Sequence, residues 1–389
     1  MNVIFCKWTS ICEDAIDTAL VQLNCNITRI TRLLDSVDYD TDYMSTLSQT
    51  LDSTPADCVL SVNFIPVIAQ VCNVYKIPYL CLIVDSPCFQ LYSDTIRLPY
   101  NRIFIFDRDL YRKFHNENPS CIFHIPLASD VAFWDSVPVR KEDHASYDCD
   151  ISFVGSLYSE KCRYNQIEQS LPPQIRGYAD GLIEAQLHMS GANLLRESIS
   201  LEFAEQFKAC AKWVPLEQDY REDTIGIVAD TYLGYKCTEQ DRIRKLNALA
   251  DHFSVDLYTL SETSALPKVH NKGPADSRNM MPQIIKCSKI NLNFTNIPIS
   301  SGLPQRIFDI LGCGGFLMTN FQPELLDWFV PDEDLVIYYS TSDLIEKTAY
   351  YLEHEEERRA IAQNGYRKTA SQHTYALRLV QMFELALKS

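Results

Sequence analysis

Short continuous apolar runs alternate with longer amphipathic stretches along the chain. In the first third, apolar runs predict strands at 2–6, 58–62, 79–84, 102–106 and 121–126. Such runs, continuous rather than alternating, are typical of parallel strands covered on both faces. Residues 13–24 have helical spacing and acidic residues in the first turn, which predicts a helix. Strands separated by helices indicate a doubly wound α/β domain.

The pattern breaks at residues 131–149, where the polar segment "SVPVRKEDHASYD" predicts an interdomain linker. A second α/β pattern starts with "CDISFVGS", a strand that ends in a glycine turn. A helix is expected at 239–253, and further strands are expected at 255–260, 289–295, 315–320 and 335–340. We therefore predict an N-terminal Rossmann-like domain at 1–130 and a C-terminal one at 150–375, with a helical insertion at about 165–222.

Composition and charge narrow the class of protein. A length of 389 residues favours two domains, and 46% hydrophobic with 22% charged residues is ordinary for a soluble globular chain. The net charge of −16 disfavours a nucleic-acid partner. The run "YLCLIV" is far too short for an integral membrane segment, and the N-terminus lacks signal-peptide features. A cytoplasmic location is therefore expected.

The cysteine pattern argues against both a disulfide framework and a metal centre. None of the 14 cysteines forms a CxxC pair, and no Cys/His cluster has zinc-ligand spacing. Many lie inside apolar runs, where cysteine acts as a small buried hydrophobe. We expect reduced thiols and no metal.

The segment "SGLPQRIFDILGCGGFLMTN" (301–320) holds four of the 12 glycines. It predicts a helix beginning near Pro304, with Arg306 and Asp309 on one face. A helix N-terminus is a ready anion site, arginine can hold phosphate oxygens, and an acid can accept from a ribose diol. The segment therefore suggests a nucleoside diphosphate. The alternative is an exposed Arg306–Asp309 ion pair, with the glycines simply ending the helix.

Several motifs together resemble the CgeB-like, spore-maturation-type glycosyltransferases of the GT-B class, with a C-terminal domain like that of glycosyltransferase group 1. They are "SKINLNFT" (288–295), "GLPQRIFDILGCGGFLMTN" (302–320), "ELLDWF" (324–329), "HTYALRL" (373–379) and, upstream, "DISFVGSLY" (150–158). The resemblance implies two Rossmann-like doubly wound domains that face each other across a cleft. It also implies that the donor nucleotide binds mainly to the C-terminal domain without a metal, and that a last helix at 376–389 crosses back to the N-terminal domain.

The resemblance assigns donor-side residues. Asp309 matches the ribose-binding acid, and Lys161 matches a phosphate-binding lysine, although a solvated lysine fits its charged turn equally well. Retaining relatives often have a second acid where this chain has Ser301, so no stereochemical outcome is assigned. The predicted donor-binding set is Gly155, Ser156, Lys161, Asn293, Gly302, Leu303, Pro304, Arg306, Asp309, Gly314 and Gly315.

The acceptor side is predicted in the N-terminal domain. Asp85 ends the strand "YLCLIV" and is the candidate general base, with a turn-capping role as the alternative. Trp8 and Asn63 also end strands and are candidates to line an acceptor pocket. His124 is a weaker candidate because a lone histidine in an apolar run is more often a core group.

The expected function is a metal-independent transfer of a hexose from a nucleotide-diphosphate sugar, expected to be a UDP-sugar, to a glycan, protein or small-molecule acceptor. No cofactor beyond this co-substrate is expected. One alternative is a non-catalytic nucleotide-sugar or glycan-binding protein, which Ser301 keeps open. A UDP-sugar epimerase is disfavoured because no cluster of carboxylates and histidine accompanies the donor motif.

Overall fold

The computed structural model describes residues 1–211, 213 and 220–387, which divide into two compact units. Unit 1 contains residues 1–129, 220–222 and 373–387, and unit 2 contains residues 130–211, 213 and 223–372. Part of the predicted helical insertion (212 and 214–219) and the end of the predicted last helix (388–389) lie outside the described residues.

The described part of unit 1 is built on a six-stranded parallel sheet with the order β2-β1-β3-β4-β5-β6. The order reverses between β1 and β3, as in doubly wound folds. The predicted strands are confirmed, but β2 was missed because only Ile30 is buried among its residues. The strands are β1 (Asn2–Cys6), β2 (Asn26–Ile30), β3 (Cys58–Val62), β4 (Tyr79–Ile83), β5 (Asn101–Ile105) and β6 (Ile122–His124).

Helices cover this sheet. They are α1 (Glu13–Gln22), α2 (Thr41–Ser53), α3 (Pro66–Tyr75) and α4 (Arg108–Phe114), and the chain's last helix, α18 (Tyr375–Leu387), packs against α1. The buried Arg378 fixes α18 by donating to the Leu127 carbonyl at 3.1 Å. Arg102 Nε donates to the Ala386 carbonyl at 3.0 Å near the other end of α18. The C-terminal helix thus belongs to unit 1.

The described part of unit 2 has a second six-stranded parallel sheet, with the order β12-β11-β10-β7-β8-β9. The order reverses between β7 and β10, which is the Rossmann arrangement. The strands are β7 (Cys149–Val154), β8 (Val255–Tyr258), β9 (His270–Asn271), β10 (Ser288–Asn293), β11 (Leu317–Asn320) and β12 (Val336–Tyr338). The α/β fold class predicted from the apolar runs is confirmed.

The helices of unit 2 lie between and after these strands. They are α5 (Val131–Ser136), α6 (Lys141–Tyr147), α7 (Tyr164–Ile167), α8 (Pro173–Leu187), α9 (Leu194–Ser198), α10 (Leu201–Cys210), α11 (Thr224–Gly226), α12 (Tyr235–Ala250), α13 (Met281–Cys287), α14 (Gln305–Gly312), α15 (Leu325–Trp328), α16 (Thr341–Glu353) and α17 (Glu355–Gln372). A π-helical run, Ile227–Gly234, leads into α12.

The segment 131–149, predicted as a linker, is folded onto unit 2. Helix α5 buries Val131 and Trp134, which lie three residues apart on one face. Lys286 on α13 donates to the Trp134 and Val137 carbonyls. The polar composition of the segment concealed this packing.

The remaining sequence expectations concern membranes and thiols. Across the described residues, no helix combines the length and apolarity needed to cross a bilayer. All 14 cysteines are free thiols, and most are buried. Burial raises the pKa of the Cys6 thiol to about 12, so such groups stay protonated near neutral pH and pack as hydrophobes.

Candidate functional site

Two predicted donor-side residues flank the point where the strand order of unit 2 reverses. Gly155 follows β7, and its N–H donates to the Tyr258 carbonyl at 3.0 Å. Asn293 ends the neighbouring strand β10, and its buried amide donates to the hydroxyls of Thr295 at 3.1 Å and Thr319 at 2.9 Å. Open α/β sheets bind ligands in the crevice at this edge. The strand order therefore places Gly155 and Asn293 where a ligand is expected.

Arg242, on α12, holds these two strand ends together and was missed from the sequence. Its guanidinium donates to the Ser156 carbonyl and, at 2.6 Å, to the Phe294 carbonyl. The residue is only 7% exposed, and its Nε has no hydrogen-bond partner among the described residues. Helix α12 carries six charged residues of both signs, so the sequence contains no signal of which of them faces inward.

A second guanidinium lies within electrostatic range of Arg242. Burial lowers the pKa of Arg242, and the positive charge of Arg306 acts in the same direction. Arg306 lies in the first turn of α14, whose N-terminus follows β10 and therefore points to the same sheet edge. Two cationic side chains beside a helix N-terminus make this edge suited to a phosphate group.

Arg306 and Asp309 form a pair on α14, with Arg306 Nη1 3.3 Å from Asp309 Oδ2. Gln305 Nε2 donates to the other carboxylate oxygen at 2.9 Å. Asp309 is 8% exposed, and burial raises its pKa although Arg306 and Gln305 oppose the shift. Arg306 and Asp309 therefore form the ion pair of the alternative interpretation, but the carboxylate of that pair is buried and not exposed.

Hydrogen bonds between Ser301 and Glu324 hold the turn before α14 in place. Ser301 Oγ donates to Glu324 Oε1 at 2.8 Å, and the Glu324 N–H donates to the Ser301 carbonyl at 3.2 Å. Gly302 and Leu303 are buried, and the Leu303 side chain packs in the core. Pro304 is the N-cap residue of α14, which begins where the sequence predicted.

Gly314 and Gly315 lie at the opposite edge of the sheet, after the C-terminus of α14 and before β11. Gly314 has φ +77°, and the Gly315 N–H donates to the Ile310 carbonyl at 3.0 Å, which ends the helix. A Cβ on Gly315 would lie 2.5 Å from Ile285 Cγ2 and 2.9 Å from Asn291 Nδ2. The structure thus separates both glycines from the other donor candidates and gives them a packing role.

Replacing Gly315 by alanine is therefore expected to lower the free energy of unfolding by about 1–3 kcal/mol through overpacking. Urea unfolding measures the change. Gly181→Ala is the matched control, because nothing lies within 4 Å of a Cβ there and alanine favours helix α8. Equal stability of Gly315→Ala and the parent chain would contradict the packing role.

Lys161 is exposed in the turn after β7, with Nζ 5.0 Å from the centroid of the Tyr158 ring. Ser156 shapes this turn because its hydroxyl accepts from the Tyr158 N–H at 2.7 Å. The position fits a flexible phosphate contact, and the solvated-lysine interpretation fits it equally.

In unit 1, Trp8, Asn63 and Asp85 come together at the carboxyl ends of β1, β3 and β4. Asn63, held at φ +58°, donates from Nδ2 to Asp85 Oδ2 at 2.6 Å. Trp8 Nε1 donates to the Val62 carbonyl at 2.7 Å. His124 is not part of this group: it ends the edge strand β6, beyond β5, and its ring centroid is 5.9 Å from that of Tyr111.

Comparison with known proteins gives a match over part of the chain. Residues 242–384, less than half of the chain, match the family model described as glycosyl transferase-like. No curated protein sequence matches the chain. The matched segment starts at Arg242 and contains Asn293, Arg306 and Asp309, so the C-terminal part of the chain is similar to the glycosyl transferase-like family where these residues lie.

Solved structures align over the whole chain. A glycosyltransferase from Rickettsia africae ESF-5 has a TM-score of 0.53 at 10% identity, covering 100% of this chain and 99% of that one. Anabaena HepE in complex with UDP-glucose has a TM-score of 0.55 at 10% identity, covering 100% of both chains. Sucrose-phosphate synthase from Thermosynechococcus elongatus has a TM-score of 0.52 at 9% identity, covering 99% and 98%. These likenesses establish the GT-B fold.

Proposed function

We propose that this chain is a CgeB-like glycosyltransferase that moves a hexose from a UDP-sugar to a glycan, protein or small-molecule acceptor. The observation that carries the proposal is the pair of guanidiniums, Arg242 and Arg306, with the carboxylate Asp309 at the edge where β7 and β10 diverge. The glycosyl transferase-like match of residues 242–384 supports the reaction class. The UDP-glucose complex of the HepE structure supports the choice of donor.

Breaking the bond between sugar and diphosphate leaves negative charge on the departing oxygen. Positive charge and N–H donors that are already in place stabilise that charge in the transition state. Arg306 can present a bidentate fork to the phosphates, and the N-terminus of α14 adds its dipole. Arg242 adds a fixed charge behind the β7 turn. These groups would supply the neutralisation that makes the transfer metal-independent.

Asp309 is proposed to accept hydrogen bonds from the ribose diol. Burial of Asp309 works against folding. A carboxyl whose pKa is raised in the folded state makes that state less stable as the group ionises. This loss of stability is absent below the unfolded-state pKa and grows as the pH rises toward the raised folded-state pKa, so it is present at pH 7. A carboxyl group whose burial works against folding in this way is typical of a binding site.

We expect Asp309→Asn to weaken UDP binding by about tenfold, because a charge-assisted hydrogen bond becomes a neutral one. Its Tm at pH 7 should be unchanged or higher. Calorimetry with UDP and with 2′-deoxy-UDP and 3′-deoxy-UDP measures the effect. The parent chain should prefer UDP to at least one deoxy analogue, and the variant should lose that preference. An undiminished preference in the variant would remove the ribose role.

For the acceptor side we propose Asp85, in unit 1, as general base in an inverting transfer. Asn63 donates to Oδ2 and so orients the carboxylate, which leaves Oδ1 to take the acceptor proton. Trp8 and Asn63 shape the surroundings of this carboxylate.

A thermal-shift screen with UDP-, GDP-, dTDP- and CDP-sugars tests the donor class, and release of nucleotide from the best donor tests catalysis. We expect the largest shift with a UDP-sugar, followed by slow hydrolysis.

Ser301, which replaces the acid common in retaining relatives, favours a second candidate, a non-catalytic nucleotide-sugar-binding protein. Binding without turnover, with any acceptor class, would favour that candidate.

A further inference from the structure

A second cluster of potential ligand atoms lies at the amino edge of the unit 2 sheet, the edge where Gly314 and Gly315 lie and opposite the other donor candidates. His144 on α6, Asp148 just after α6 and Cys287 at the end of α13 bring one ligand atom each to within 4.8 Å of one another. His144 Nδ1 lies 2.8 Å from Asp148 Oδ1. His144 and Asp148 are exposed, whereas Cys287 is buried.

The cluster borders a cavity of about 360 Å³ that opens beside the first residues of β7 and β10. Four basic residues line the cavity. Lys289 pairs with Asp150 at 2.7 Å and Arg359 with Glu355 at 2.5 Å, whereas Lys286 and Arg358 donate to backbone carbonyls. Two of the four charges are therefore paired with carboxylates. The cavity leaves room for an ion and for a further ligand such as water.

Helix α6 lacks the usual means of attachment to a core. It has seven residues, and none of them is buried. A helix this short is marginal by itself, because few hydrogen bonds offset the cost of nucleation. A link through His144 and Asp148 to Cys287 would fasten α6 to α13, against which it packs.

We propose that His144, Asp148 and Cys287 bind a divalent transition-metal ion, zinc by preference, as a structural clip between α6 and α13. Imidazole, carboxylate and thiolate are ligand types that zinc takes, and the adjoining cavity leaves room for water as a fourth ligand. The site lies at the opposite sheet edge from Arg306 and Asp309. It is therefore independent of the proposed transfer reaction and of its metal-free chemistry.

Binding requires the Cys287 thiol to lose its proton to solvent as the sulfur–metal bond forms. A bound cation favours the thiolate, because thiolates coordinate metals and thiols do not. Proton release is the expected accompaniment of binding.

Cobalt(II) is the probe, used with the full chain after chelator treatment and phosphine reduction. We expect one equivalent to bind and to give a sulfur-to-cobalt charge-transfer band with the visible bands of a tetrahedral site. Zinc should displace the cobalt and abolish the spectrum. The proposed site would be rejected if the sulfur-to-cobalt band were absent. It would also be rejected if cobalt bound more tightly at another position from which zinc did not displace it.

Variants assign the ligands. His144→Ala and Asp148→Ala change exposed side chains, so both should fold, and each should weaken cobalt binding at least about tenfold. Cys287→Ser should remove the sulfur band. His188→Ala is the matched control, because His188 forms a similar exposed i,i+4 pair with Glu184, 3.3 Å apart. Cys149→Ser controls for the half-buried thiol that lines the same cavity.

The outcomes separate the clip from adventitious binding by thiols. Zinc should raise the Tm of the parent chain and of His188→Ala but not of His144→Ala, and it should slow proteolysis within 137–148 in the same pattern. Unchanged cobalt affinity and spectrum in His144→Ala would refute the proposal. So would loss of the band in Cys149→Ser together with its retention in Cys287→Ser.

Discussion

Asp85→Asn is expected to lower the turnover number by about 10²- to 10⁴-fold, the contribution typical of a general base. Asparagine keeps the shape of the side chain and an oxygen that can accept from Asn63 Nδ2, so the strand ends of β3 and β4 should be undisturbed. It cannot take a proton from the acceptor. Steady-state kinetics with the donor found by the screen, and calorimetry with UDP, measure the two expected results: low turnover and unchanged nucleotide affinity.

Asp94→Asn is the control for this experiment, because Asp94 is an exposed carboxylate of the same unit that pairs with Arg97 on the surface. It should retain full activity. Full turnover in Asp85→Asn would eliminate Asp85 as the base and favour its alternative role in capping the turn after β4. Product with retained anomeric configuration, seen by NMR, would likewise exclude an inverting role.

Arg306→Ala should weaken UDP binding by about 10- to 100-fold, since a hydrogen bond between charged groups contributes about 1.5–3 kcal/mol. The nucleoside uridine lacks the diphosphate, so its affinity should change little. The comparison between UDP and uridine isolates the phosphate contact from the rest of the pocket. Titration calorimetry with both ligands gives the two affinities.

Removing Arg306 also leaves the buried Asp309 without its cation, so some loss of stability is expected. Arg306→Lys restores the charge and should recover folding but only part of the UDP affinity, because lysine lacks the bidentate fork. Arg244→Ala on α12, which breaks an exposed pair with Glu184 on α8, controls for loss of a surface arginine. Equal weakening of UDP and uridine by Arg306→Ala would cancel the diphosphate assignment.

Asp309 shows which features of a site a local sequence pattern can predict. The three-residue spacing placed Arg306 and Asp309 on one helix face, and the structure has them 3.3 Å apart. The spacing could not reveal that Asp309 is buried, because burial depends on what packs over α14. Arg242 was invisible for the same reason: its partners, the Ser156 and Phe294 carbonyls, are 86 and 52 residues away.

Gly314 and Gly315 show the opposite case, in which residues close in sequence lie at different edges of the sheet. Gly314 and Gly315 follow Asp309 closely along the chain and were assigned to the donor. A helix running antiparallel to its strands carries its two ends to opposite sheet edges, so the end of α14 lies away from the ligand edge. Their function is to end the helix and to let Ile285 and Asn291 pack closely.

By itself the sequence determined the layers: continuous apolar runs specified buried parallel strands, and the glycine-bounded segment specified strand, helix and strand in order. Periodicity is a local property, set by which side of each element must leave water. Only the tertiary structure decided which elements and side chains lie next to each other. Strand order brought Asn63 to Asp85 and Arg242 to the ends of β7 and β10, and packing folded residues 131–149 onto unit 2. These contacts join segments far apart in the chain, and their selection depends on hydrogen bonding and close packing of the whole domain, which no local pattern encodes.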